Sequence, residues 1–456
     1  MTSTGSNAAA TCLGCGCACD DIDLNVEDNR IVEAKRACPL GAAWFGDGRV
    51  PARARVGGRD ASVDEAIAAA ARLLAGSARP LVYLAPDISC ETQRTGIALA
   101  DTLRATLDTI TSSTAMPSLL AAQELGRAGA TLGEIRNRAD IVVFWAVDPA
   151  VRYPRYWTRY APEPAGLHVD GRASRTVIAV DIGDDRGPAD ADIRISIAPD
   201  DEVATLTMAR AAVTGDAVRL VADHRTPADA GHHARANEAL VAALVHGRYV
   251  AIVADAEPDD LDVGRDPGGA AALIALAQAL NGVTRCALST LRAGGNRTGA
   301  DAFLTSQTGY PAAVDFARGY PRYRPHDAGI ARLARGEIDA AVVIGSAALL
   351  PPATLASLAR VPCVVIGPRA TESTLTPLTA AIDTAVAGIH EAGTALRMDD
   401  VPLPLRAALS GPPAALGVVG AVLEQVWRYE AEKATDRERG DCEGGNRDCE
   451  EGRRAH

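Results

Sequence analysis

The sequence predicts an α/β fold of parallel sheets flanked by helices, headed by a small cysteine-rich segment, and three observations predict it. After residue 57, short β-branched apolar runs alternate with Ala/Leu-rich stretches of helical period, the pattern of parallel strands covered by helices on both faces. The chain has 456 residues, room for two or three domains of about 100 to 200 residues. Five of its ten cysteines crowd into residues 12–38, which sets that segment apart from the rest of the chain.

Taken in order, the opening places Cys12, Cys15 and Cys19 in a C-x2-C-x3-C run, with Cys38 downstream. Soft thiolates suit iron, and closely spaced cysteines let one loop wrap several corners of a cluster while a distant one closes the site. Structural zinc also takes four thiolates, but more often from two C-x2-C knuckles, and only one is present. The spacing therefore favours an iron-sulfur cluster over zinc, with Cys17 a bystander or a substitute ligand. A helix is predicted over 63–74, where Ser62 and Glu65 form a capping box. Strands are predicted over 81–85, 141–147, 176–181, 250–254, 340–344 and 361–366. Asp148-Pro149, Asp181 and Gly367-Pro368 follow or end three of them. Open α/β sheets bind ligands at such carboxyl ends, although the same residues also make ordinary turns. Stretches 255–269 and 318–328 read as loops. Cys90, Cys286 and Cys363 lie among strands and helices and read as buried free thiols. Residues 428–456 are charged and almost without apolar side chains, so a disordered tail is expected there, with Cys442 and Cys449 incidental to it.

A formal charge of -12 opposes nucleic-acid binding, which needs a positive face. No run approaches the roughly 18 to 20 apolar residues of a membrane span. The first residues lack the basic and apolar regions of a signal peptide, so reduced thiols in the cytoplasm are expected. Arg292, Asn296 and Arg297 occupy a Gly-rich loop that could face an anion, a weak signal on its own. His326 and His390 lack paired ligands at helical spacing and read as solvated or core histidines. Neither a Gly-x-Ser-x-Gly elbow nor a His-Glu-x-x-His motif occurs, which leaves hydrolase chemistry within the chain unsupported.

The cysteine run followed by Cys38-Pro39-Leu40-Gly41 resembles the N-terminal cluster domain of molybdopterin-type oxidoreductases. Later segments narrow the likeness to the B subunit of formylmethanofuran dehydrogenase. They include Ser89-Cys90-Glu91-Thr92-Gln93-Arg94, Thr131-Leu132-Gly133-Glu134, Tyr153-Pro154-Arg155 with Arg159-Tyr160, Gln307-Thr308-Gly309-Tyr310-Pro311, Arg318-Gly319-Tyr320-Pro321-Arg322-Tyr323 and Gly393 to Asp399. The resemblance spans about residues 12–406 and implies a molybdopterin-oxidoreductase-like fold. Its expected parts are an iron-sulfur-type domain over 1–57, a discontinuous α/β domain over 58–135 with 335–427, and an inserted α/β domain over 136–334. A 4Fe-4S cluster on Cys12, Cys15, Cys19 and Cys38 follows from the same likeness. So do partner subunits, because no strand-rich segment for a capping β-barrel remains after residue 406.

The family's metal is ligated by cysteine or selenocysteine beside a histidine, and here the matching positions read Thr114 and Ala115. A neutral hydroxyl is a poor ligand at a soft site and a methyl group cannot move a proton, so no catalytic residue is expected and molybdopterin or tungstopterin is expected to be absent. Three further departures agree: Asp181 to Asp185 brings negative charge to a would-be pyrophosphate turn, Asp148-Pro149 replaces Asn-Pro, and Pro39 replaces a basic residue. The sequence is most similar to the version of the B subunit found in the formyltransferase/hydrolase complex of methylotrophic bacteria. The implied role is a non-redox structural subunit in one-carbon metabolism, alongside subunits of A, C and D type that convert formyl-tetrahydromethanopterin to formate through formyl-methylofuran. The alternative is a redox-active formylmethanofuran (formate) dehydrogenase subunit with a cluster and a bis-pterin tungsten or molybdenum centre. Between them lies an electron-relay module with a cluster and no pterin.

Overall fold

Uninterrupted apolar, β-branched runs form strands buried on both faces, and every strand predicted above is present in the computed structural model. It describes residues 6–215, 230–257, 266–376 and 378–444. The strands are Pro80–Leu84, Ile141–Trp145, Thr176–Ile182, Tyr249–Asp255, Ala340–Ile344 and Cys363–Gly367. Continuous burial of this kind is what parallel sheets covered by helices require.

The chain forms two compact units. The first gathers the described residues of Met1–Asp47, Thr111–Gly299 and Thr394–Pro404. Its main sheet is parallel throughout, in the order Ile193–Ile197, Thr176–Ile182, Ile141–Trp145, Tyr249–Asp255, Arg285–Leu291. The winding direction reverses between Ile141–Trp145 and Tyr249–Asp255, so the carboxyl ends of that pair form a switch point. Trp145, Ile178, Ile252 and Leu288 from the strands pack with Leu206 and Leu276 from the helices. A three-stranded antiparallel sheet, Ser6–Ala10, Ile22–Glu27 and Arg30–Lys35, frames the cysteine loop, and the short helix Pro39–Phe45 comes next.

The second unit gathers Gly48–Ile110, Ala300–Gly393 and the described part of Leu405–His456. Its nine-stranded sheet has a parallel centre and antiparallel edges. Helix Val63–Gly76 starts at the predicted capping box, with both reciprocal hydrogen bonds formed. Helix Cys90–Thr102 lies so close to the sheet that a Cβ on Gly96 would sit 2.7 Å from Leu84.

Two expectations about organisation change. The division falls after Ile110 and Gly299, not after 135 and 334, and residues 1–47 cluster with the first unit instead of standing alone. The reasons are visible in the pairing: Val314–Asp315 pairs with Thr106–Thr109 in the nine-stranded sheet, while helix Met116–Leu125 packs on Gly269–Leu280. The expected tail is helical as far as Gly444 within Ala415–Gly444. Its apolar residues Val418, Val419, Val422 and Val426 are buried in the core, and the Glu424–Arg428 and Glu430–Lys433 pairs carry the helix onward. Residues 445–456, with Cys449, lie outside the described residues. Among the described residues no helix is long and apolar enough to cross a membrane.

Candidate metal centre

The loop that carries the first three cysteines closes on itself through Cys12 N–H to Cys19 O at 2.9 Å and Ala18 N–H to Cys15 O at 3.1 Å. Glycines seat it. A Cβ on Gly16 would lie 2.1 Å from the Arg292 carbonyl oxygen, and one on Gly294 would lie 2.7 Å from that of Gly14. Backbone bonds then pin the loop, from Gly295 N–H to Leu13 O at 2.8 Å and from Met398 N–H to Gly16 O at 3.1 Å. Cys38 arrives at the N-cap of Pro39–Phe45, where Gly41 leaves room beside the Cys12 sulfur. The result is one small cavity lined by Cys12, Cys15, Cys19 and Cys38 with Ile22, Ala37, Gly41 and Arg155. Cys17 is fully buried and is not part of that lining.

Burial pushes the Cys12 thiol up to about 12, opposed by the Gly14 N–H that points at its sulfur from 3.3 Å. Burial also raises Cys19, against the pull of Arg155 and Arg159. Cys15 is lowered, chiefly because the Cys17 thiol donates to its sulfur, and Cys17 rises for the same reason and through burial. Buried thiols of this kind ionise readily only when a cationic centre binds them. Among the described residues no group of three or more His, Cys, Asp or Glu side chains is set to hold a metal ion. One zinc would draw sulfurs to about 2.3 Å from a common point, whereas a cluster with several irons takes more widely set thiolates. Four thiols and Gly41 line one cavity, and the Gly14 N–H is aimed at the Cys12 sulfur, a donor set that suits a thiolate-bound group.

Several segments singled out in the sequence converge here. Arg155 grips both Asp21 carboxylate oxygens at 2.7 and 2.6 Å, and Arg159 reaches Asp21 at 2.7 Å and also pairs with Asp20. The Tyr160 ring takes Arg159 at 5.3 Å and Arg397 at 5.6 Å. Arg397 holds Asp399 at 2.6 and 2.8 Å, and Asp399 accepts the Leu132 N–H at 2.6 Å. The contacts of Arg155 and Arg159 were not legible in the sequence, since their partners lie more than 130 residues away.

Thr114 and Ala115 fall at the junction of two helices, Thr111–Thr114 and Met116–Leu125. Ala115 is buried, and Thr114 lines an open cavity of about 180 Å³ with Ser118, Arg127, Asp255, Asp266 and Thr290 among others. Two sequence expectations fail nearby. Asp181 presents no bare negative charge, because Arg194 meets both its oxygens at 2.7 Å and the Gly187 N–H donates at 2.8 Å. Arg292 and Arg297 do not form an open anion receptor either; both pair with buried Glu257, at 2.6 and 2.8 Å, and Asn296 accepts the Leu396 N–H at 2.9 Å. Their loop is the seat of the cysteine loop. Asp148 caps the short helix Pro149–Arg152 by accepting the Ala150 N–H at 2.8 Å. His326 is exposed and His390 half-buried, and neither reaches the cysteines' cavity lining.

No protein-family model matches the chain. Over 420 residues, 89% of this chain and 94% of the relative, it is 33% identical to the B subunit of the tungsten-containing formylmethanofuran dehydrogenase 2 of Methanocaldococcus jannaschii. The chain belongs to the family of formylmethanofuran dehydrogenase B subunits. A second member, from Methanococcus maripaludis, is 31% identical over 424 residues, 88% of this chain and 93% of that protein. The fold is shared with a chain in the crystal structure of the formyltransferase/hydrolase complex of Methylorubrum extorquens with methylofuran, at a TM-score of 0.65, 24% identity, and coverage of 83% of this chain and 99% of that one. In this formylmethanofuran dehydrogenase family member, the two sites differ in what they can hold. The cysteine cavity suits a thiolate-bound cluster. Among the described residues, the Thr114 cavity has no cysteine, methionine or histidine in its lining, so that donor set does not fit a tungsten or molybdenum ion that needs a soft protein ligand.

Proposed function

We propose that this chain is the non-redox, structural B subunit of a formyltransferase/hydrolase complex, in which partner subunits pass a formyl group from formyl-tetrahydromethanopterin to methylofuran and hydrolyse it to formate. The observation that carries the reading is chemical: Thr114, with Ala115 next to it in the chain, lines a cavity whose described lining has neither sulfur nor imidazole. A hydroxyl and a methyl group supply neither a soft metal ligand nor a proton relay. The fold likeness to a chain of the Methylorubrum complex supports the same reading. In this role the two sheets act as scaffolds, and partners of A, C and D type carry the transfer and hydrolysis.

The cysteines favour a second reading, a redox-active dehydrogenase subunit with a 4Fe-4S cluster and a bis-pterin metal centre. Four thiols share one cavity, and the relatives at 33% and 31% identity bear tungsten in their names. Should a cluster bind, it would supply one-electron transfer; Cys12, Cys15, Cys19 and Cys38 would hold it, and the Gly14 N–H would stabilise the Cys12 thiolate.

Anaerobic purification of the native complex, with elemental analysis for iron, zinc, molybdenum and tungsten, separates the readings. The scaffold role expects formyl transfer and hydrolysis with neither tungsten nor molybdenum, and dye-linked formate oxidation with stoichiometric tungstopterin overturns it. Iron alone would point to a cluster without a pterin. A Thr114→Cys, Ala115→His double variant is expected to gain no formate oxidation.

A further inference from the structure

The cysteine cavity has one charged residue in its described lining, Arg155. No other cation comes from the cysteine segments, since residues 12–19 and 38–45 carry no charged side chain. The Arg155 guanidinium is largely enclosed, with 18% of its side chain exposed. It lines that cavity beside Cys12, Cys15 and Cys19 and donates to both oxygens of Asp21, at 2.7 and 2.6 Å. Arg159, enclosed to the same degree, shares Asp21 at 2.7 Å. Asp21 is therefore a carboxylate shared by two guanidiniums, one of which lines the cysteine cavity.

A cluster held by four thiolates is anionic and becomes more so when it accepts an electron. An N–H donor or a cation fixed at a coordinating sulfur stabilises the reduced form more than the oxidised one. We propose that Arg155 raises the reduction potential of an iron-sulfur cluster bound at Cys12, Cys15, Cys19 and Cys38, through its positive charge at the wall of that cavity. One electron enters the cluster and no bond to carbon changes. The inference rests on the reading that these cysteines hold a cluster, and it applies whether that cluster relays electrons or only braces the fold.

The test is a redox titration followed by electron paramagnetic resonance, on the anaerobically purified complex and its variants, with iron content measured beside it. Arg155→Gln is expected to shift the midpoint to a more negative potential at unchanged iron content, and Arg155→Lys to shift it less. Asp21→Asn, which keeps an oxygen to accept from Arg155 and removes the negative charge beside it, is expected to shift it the other way. Unchanged potentials, or shifts of one sign in Arg155→Gln and Asp21→Asn, overturn the proposal. Should Arg155→Gln lose its iron, Asp21→Asn decides alone, and no positive shift there is a refutation. A wild-type complex without iron sinks the cluster reading itself and the inference with it, an outcome told apart by the iron content of the unmodified protein.

Discussion

Gly16 shows how little freedom single positions have around the cysteine loop. A methyl group there would meet the Arg292 carbonyl at 2.1 Å, and the obstacle is backbone that no rotamer change can move aside. Gly16→Ala is expected to cost about 1 to 3 kcal/mol, as overpacking does, and to lower bound metal; an unchanged melting temperature with full metal content would refute it. A second residue gives a pH dependence. Asp87 is buried at the carboxyl ends of Pro80–Leu84 and Ala340–Ile344, accepting the Ser346 N–H at 2.9 Å. Burial pushes its carboxyl up from 3.8 to about 6. The folded state thus holds a proton that the unfolded chain has released, so the stabilisation is complete below pH 3.8 and is lost as pH rises to about 6. The loss is about 3 kcal/mol at most. Asp87→Asn, which keeps the acceptor and cannot ionise, should melt increasingly above the wild type between pH 4 and pH 7; a pH-independent difference would contradict this. The capping box at Ser62 and Glu65 and the cysteine spacing were legible because their partners are sequence neighbours. The pairings of Arg155 with Asp21 and of Arg292 with Glu257 were not, because nothing local records which distant carboxylate a guanidinium will meet.

At the scale of elements, the terminal helix Ala415–Gly444 departs furthest from its sequence reading. Composition past Arg428 resembles a solvated tail, yet helix propagation needs only one more bond per residue once the buried turns around Val422 have nucleated it. The early turns hold the second unit's core, and Lys433 reaches the Ala75 carbonyl. Truncation after Lys433 is accordingly expected to leave the melting temperature nearly unchanged, while truncation after Pro413 should abolish soluble expression. Comparable yields of the two truncated chains would show that the helix does not complete the core. The six predicted strands, in contrast, were readable almost to the residue, because a strand buried on both faces must be apolar throughout.

On the scale of the whole molecule, each unit is built on a helix-clad sheet that is parallel at its centre. A scaffold subunit is expected to depend on its partners. The isolated chain should elute as aggregate or unfold at low temperature, and co-expression with partner subunits should rescue it. A stable, monodisperse monomer on gel filtration would count against the scaffold role. The unit boundaries were misplaced by the sequence reading because strand pairing, unlike strand formation, is non-local: Val314–Asp315 joins the sheet edge at Thr106–Thr109, some 200 residues earlier, and carries its surroundings with it.

What could be known before any coordinates was the class of fold, the six strands, the family and the spacing of the cysteines. Each is written in residue type and short-range spacing. What needed the folded chain was where charges settle: that Glu257 engages Arg292 and Arg297, that Arg194 neutralises Asp181, and that Arg155 reaches the cysteine cavity from a segment more than a hundred residues away. Long-range ion pairs depend on how strands stack and loops close, and a one-dimensional pattern carries no record of that.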